Sequence, residues 1–138
     1  MIKILSSLLF LIALAIAGAD RAGAHSAKHE VSPGMKKQHH SMMIIDRQWK
    51  ALKRALGRGD RNGADTAAGE ILKASAGMED FILHKNAGHH SRFVTYCKEF
   101  IESMTKLRET LPEADLNKAD TLLNPVRSKC VQCHEIFK

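Results

Sequence analysis

Residues 116–137 read LNKADTLLNPVRSKCVQCHEIF, and one apolar seam runs through them. Leu116, Ala119, Leu123, Val126, Cys130, Cys133 and Phe137 follow one another at 3-4-3-4-3-4 spacing. That spacing returns each side chain to one face of a helix with 3.6 residues per turn. Alternation with a period of two, the signature of a strand, is missing. Pro125 falls inside the stretch and removes an amide donor, so a kink or a local opening is expected there. The segment starts at about Glu113 or Asp115 and ends at Phe137.

The same pattern recurs toward the N-terminus. Phe93, Cys97, Phe100, Met104, Leu107 and Leu111 keep 4-3-4-3-4 spacing, in a segment that starts near Ser91 and stops at Pro112. An earlier segment opens at Ser32-Pro33, a capping hydroxyl followed by proline at the first helical position. Its seam is Met35, Met42, Ile45, Trp49, Leu52 and Leu56. Between these two lies a weaker helical pattern from about Ala64 to about Phe81, with Ala67, Ala68, Ile71, Leu72, Met78 and Ile82 in phase. Gly69 and Gly77 lower its propensity. Gly57, Gly59 and Gly63 punctuate the link before it, and residues 84–90 read as a loop. Four amphipathic helices with short links predict an all-α fold, an up-down-up-down antiparallel four-helix bundle. In that topology the first half of the first helix lies beside the last turns of the fourth. A length of 138 residues suits one domain, and an aromatic content of 5% argues against a β-sandwich or barrel.

Residues 1–24 stand outside this pattern. Lys3 precedes an apolar run from Ile4 to Ala17, and Ala22-Gly23-Ala24 gives a small-x-small cleavage pattern, with Ala17-Gly18-Ala19 as a second site. This reads as a secretory signal peptide, too short for an ordinary membrane anchor. Cleavage after Ala24 removes Lys3, Asp20 and Arg21, leaves a domain of residues 25–138 and lowers the net charge from +6 to +5. A periplasmic location follows most simply, with no membrane attachment after cleavage. The basic charge favours partners with acidic surfaces. No Lys/Arg block reaches the density of a nucleic-acid interface.

Three cysteines are an odd number for an exported chain, and two of them stand close together in Cys130-Val131-Gln132-Cys133-His134. C-x-x-C-H is the attachment pattern for c-type haem. On a helix the positions i, i+3 and i+4 share a face, so two thioether bonds from Cys130 and Cys133 would leave His134 as the proximal iron ligand. Cys97 would then be the one free cysteine, most simply a small buried hydrophobe. Two other readings compete. One is a redox dithiol, for which the βαβ pattern is missing. The other is a zinc site of Cys97, Cys130, Cys133 and His134, for which a second paired motif is missing.

Taken together, an exported chain of this size, four helical segments and a haem motif near the C-terminus resemble the class II c-type cytochromes, the cytochrome c′ family. Asn124-Pro125-Val126 ahead of Lys129-Cys130-Val131-Gln132-Cys133-His134-Glu135-Ile136-Phe137 looks like the last helix of the family's low-spin, six-coordinate members. The resemblance runs from about Ser32 to Lys138, and it is specific in the last helix and diffuse in the middle two. It implies one covalently attached haem c, with its iron, enclosed by the bundle. It also implies either a methionine from the first helix on the distal side, for an electron carrier, or an apolar cover there, for a five-coordinate protein that binds nitric oxide or carbon monoxide. Counting back from Gly59-Asp60, which resembles the family's first turn, places the distal methionine at Met43. The seam of the helix favours Met42, and His39 and His40 lie in the same region. His39-His40 stand where many relatives carry Arg-Gln, which alters the distal hydrogen bonds and propionate contacts the resemblance would supply.

The remaining features bear on the same site. Arg127 and Lys129 precede the motif, as propionate partners or as a solvated basic face. Trp49 and Phe137 are core residues that could meet the porphyrin rim. His84, His89 and His90 cluster as loop histidines with some resemblance to a surface metal site. No distal acid–base pair stands out, so electron transfer to redox partner proteins is expected rather than catalysis. A homodimer through the first two helices is compatible with the sequence.

Overall fold

The Ser32 hydroxyl accepts the Met35 amide at 3.2 Å and starts helix α1, Pro33–Gly57. Proline at the first position gives up an amide that had no partner in the helix. In the computed structural model residues 32–83 and 85–138 are described. The leader expected over residues 1–24, His25 and His84 lie outside the described residues. Three further helices follow: α2, Arg61–Ser75; α3, His90–Thr110; and α4, Ala119–Phe137. Among the described residues there is no strand, and no helix is long and apolar enough to cross a membrane. The described residues are all-helical with four α-helices, consistent with a four-helix bundle.

The predicted seams are the buried faces. Leu52, Ala55 and Leu56 of α1 pack with Ala64, Ala67, Ala68 and Ile71 of α2, and with Cys97, Met104 and Leu107 of α3 in one core. Leu123 and Val126 of α4 complete it. Three alanines on the inner face of α2 let α1 approach closely, and this is the most extensive helix pair. α3 packs against α2 and α4, whereas α1 and α4 meet only sparsely. No residue of α1 before Leu52 is fully buried, so the core lies toward one end and the α1–α4 side is left open toward the other.

Two boundaries differ from the sequence reading. α2 stops at Ser75, before the expected Phe81. Ala76 is extended and Gly77 has φ 78°, a left-handed conformation that glycine adopts without strain. A 3₁₀ turn at Met78–Asp80 follows, so Met78 and Phe81 reach the core from a connection and not from a helix. α4 is preceded by a 3₁₀ turn at Leu116–Lys118, and it runs unbroken through Pro125.

Polar contacts join the helices outside the core. The Arg108 guanidinium holds the Asp65 carboxylate through Nε at 2.7 Å and Nη2 at 3.0 Å, tying α3 to α2. The Arg61 guanidinium donates to the carbonyls of Leu111 and, at 2.8 Å, Ala114, tying the start of α2 to the α3–α4 connection.

Candidate haem-binding cavity

Where α1 and α4 stand apart, the helices line an open cavity of about 590 Å³, a volume in the range of ordinary cofactor sites. α1 lines it with Gln38, His39, Met42, Ile45 and Trp49. The connection after α2 adds Met78, Phe81, Ile82 and Leu83, and α3 adds Phe93, Tyr96, Cys97 and Phe100. α4 supplies Cys130, Cys133, His134 and Phe137, with Arg127 and Lys129. The two cysteines and the histidine of the C-x-x-C-H motif line one largely apolar space, the cysteines half-buried and His134 exposed.

The wall is fixed by specific contacts. The Phe137 ring meets Phe93 edge-on with centroids 5.3 Å apart, and Tyr96 at 6.3 Å. Asn86 Nδ2 donates to the Ile136 carbonyl at 2.7 Å, and Lys85 Nζ to the Lys138 carbonyl at 3.0 Å. These two bonds satisfy carbonyls at the end of α4 that have no partner within the helix. They hold the turn that carries His134. On the other side the Ile82 amide donates to Gln38 Oε1 at 3.1 Å, so the same connection is bound to both α1 and α4.

Burial sets the chemistry of the thiols. Cys97 is pushed up to about 12 by burial and then by the nearby Cys133. Cys130 is pushed up to about 11 for the same two reasons, and burial also raises Cys133. All three are protonated at neutral pH, unlike the thiolate that a redox dithiol needs. Burial, and then the charge of Lys138, holds the His134 imidazole below its usual pKa. Among the described residues no three His, Cys, Asp or Glu side chains are grouped to hold a metal ion. Thus Cys97, Cys130, Cys133 and His134 do not assemble as a zinc site.

The α1 candidates separate by position. Met42 is partly buried in the cavity wall, and His39 also lines it from a more exposed position. Met43 is 68% exposed and His40 is exposed, and neither lines the cavity. The cause is the helix itself: one residue is a rotation of about 100°, so Met42 shares a face with Ile45 and Trp49 while Met43 is turned out of it. Of the two methionines, Met42, which the seam of the helix favours, lines the cavity, and Met43, which the count from Gly59-Asp60 gives, does not. Lys129 is held by Glu99 at 2.9 Å, while Arg127 has no ion-pair partner among the described residues. Trp49 and Phe137 both line the cavity. Phe81 and Ile82, which periodicity assigns to the second helix, instead form a wall with Leu83 from the connection after α2. Comparison with family models, curated proteins and solved structures finds no match.

Proposed function

We propose that the chain is a periplasmic electron carrier of the cytochrome c′ type, with one haem c enclosed in an up-down-up-down antiparallel bundle. The observation that carries this reading is that Cys130, Cys133 and His134 line a single apolar cavity whose opposite wall, on α1, presents Met42. Cys130 and Cys133 would hold the haem by thioethers, and His134 would ligate its iron. When bound, the haem supplies a one-electron Fe(II)/Fe(III) couple. Met42 is the side chain of this chain best placed to be the sixth ligand, with His39 next to it on the same wall. Trp49, Phe93, Phe100 and Phe137 exclude water and keep the site's dielectric low. Arg127 offers an uncommitted cation for a propionate. Periplasmic location rests on the leader pattern alone.

Mass spectrometry of protein made in a host with cytochrome c maturation tests the proposal. The expected result is a mature chain heavier by one haem, with sharp low-spin bands on reduction and no binding of carbon monoxide. A chain weighing only what its amino acids weigh refutes it. A haem-loaded chain that binds carbon monoxide readily replaces the electron carrier with a five-coordinate gas-binding protein.

A further inference from the structure

The outer face of α1 carries a second stripe. Lys36, His40, Met43, Arg47, Lys50 and Arg54 repeat at 4-3-4-3-4 spacing, and all six are exposed. The stripe runs about 27 Å along the helix. α1 as a whole holds six Lys and Arg against one acid, Asp46, a net of +5. This equals the net charge of residues 25–138, so the rest of that domain sums to zero. Asp46 is bound to Lys50 at 2.6 Å, and no other α1 cation has an ion-pair partner among the described residues. In the middle of these charges stands Met43, the most exposed of the large hydrophobic side chains.

We infer that this stripe is the docking surface for the acidic face of a partner protein that exchanges electrons with the chain, an inference that rests on the haem reading. Charge complementarity selects the partner: unpaired cations attract carboxylates over a distance and fix orientation. Met43 supplies the apolar contact, since methionine and arginine are enriched at protein interfaces. Position supplies the rest. The opposite side of α1 lines the cavity through Met42, and a helix with its side chains is only about 10–12 Å across. A partner on the stripe therefore stands one helix width from the candidate iron site. An anionic membrane would also attract the charges, but a helix lying in a bilayer surface needs an apolar face to insert. Met42, Ile45, Trp49, Leu52 and Leu56 pack into the cavity wall or the core, Met35 and Ile44 are half-buried beside them, and Met43 is the one exposed large hydrophobic side chain of the helix.

The test uses the mature protein with an acidic flavodoxin as probe, and calorimetric titration at low salt. Lys36→Glu/Arg47→Glu/Arg54→Glu is compared with Lys73→Glu/Lys98→Glu/Lys106→Glu, which makes the same change in net charge on α2 and α3. The stripe variant is expected to bind about tenfold more weakly or worse, and the control variant to change much less. Met43→Ser, which alters no charge, is expected to weaken binding as well. Equal losses in both triple variants would show that net charge alone acts, and would overturn the inference. So would a stripe variant that keeps flavodoxin binding but loses binding to phosphatidylglycerol vesicles. The haem mass separates the two readings. Protein without it that still binds through the stripe upholds the acidic-partner surface and removes the haem; haem-loaded protein indifferent to the stripe does the reverse.

Discussion

At the scale of single residues, Met42 and Met43 make the sharpest contrast. In haem-loaded protein, Met42→Ala is expected to convert a low-spin optical spectrum to high spin, and Met43→Ala to leave it unchanged. An unchanged spectrum in Met42→Ala would move the assignment to His39. The seam of α1 already put Met42 on the inner face, whereas counting back from the turn at Gly59-Asp60 put Met43 there. A count along the chain presumes that α1 keeps one rotational register relative to its neighbours, and a slip of a single residue turns the side chain out. Cys97 gives a second prediction. It is 1% exposed and its thiol is held neutral by burial. Cys97→Ser buries a hydroxyl in an apolar wall and is expected to cost about 1–3 kcal/mol, read as a lower urea midpoint. On the proposed haem reading the haem mass should be unaffected, because that reading attaches the haem through Cys130 and Cys133.

At the scale of elements, helix ends are set by individual side chains. The Asp60 carboxylate accepts the Gly63 amide at 2.8 Å and caps α2. Asp60→Ala is expected to destabilise the fold by about 1 kcal/mol, with the urea midpoint falling at constant slope. A Cβ on Gly63 would collide with that same carboxylate, so Gly63→Ala should lose the cap too. The helices α1 and α3 were legible within a residue or two, because a proline-led cap and a 4-3-4 seam mark them without ambiguity. α2 was not. Met78 and Ile82 happen to fall in helical phase, so periodicity carried the segment past Ser75. The chain leaves the helix at Ala76, which is extended, and Gly77 then turns left-handed to start the 3₁₀ turn at Met78. α4 continues through Pro125, which leaves one helix hydrogen bond unmade.

At the scale of the molecule, an ion pair between helices and a capped turn make stability depend on pH. The hydrogen bond from Arg108 holds the Asp65 carboxyl below its usual value, and the Asn117 amide does the same for Asp115. Both groups therefore add stability that is complete above the ordinary carboxylate range and is lost as pH falls through their lowered values. Asp65→Asn is expected to flatten the acid limb of a plot of urea midpoint against pH. Because both side chains are half-exposed, added salt should shrink the effect. The helix content and the motif could be read along the chain. The cavity could not, since it is lined by four stretches far apart in sequence, and one of its walls is a connection with no periodicity.

Arg61 pins the start of α2 to the α3–α4 connection, at the well-packed end, and α1 barely touches α4 at the other. Such a molecule resembles a pair of tongs, fastened at the handle and free at the jaws. Amides in the first turns of α1 and the last turns of α4 are expected to exchange with deuterium fastest in the haem-free chain, while those around Leu52 and Ile71 exchange slowest. If the proposed haem is attached to α4 and reaches α1 across the jaws, it should slow the fast set and leave the slow set as it was, so that maturation itself would finish the folding of this protein.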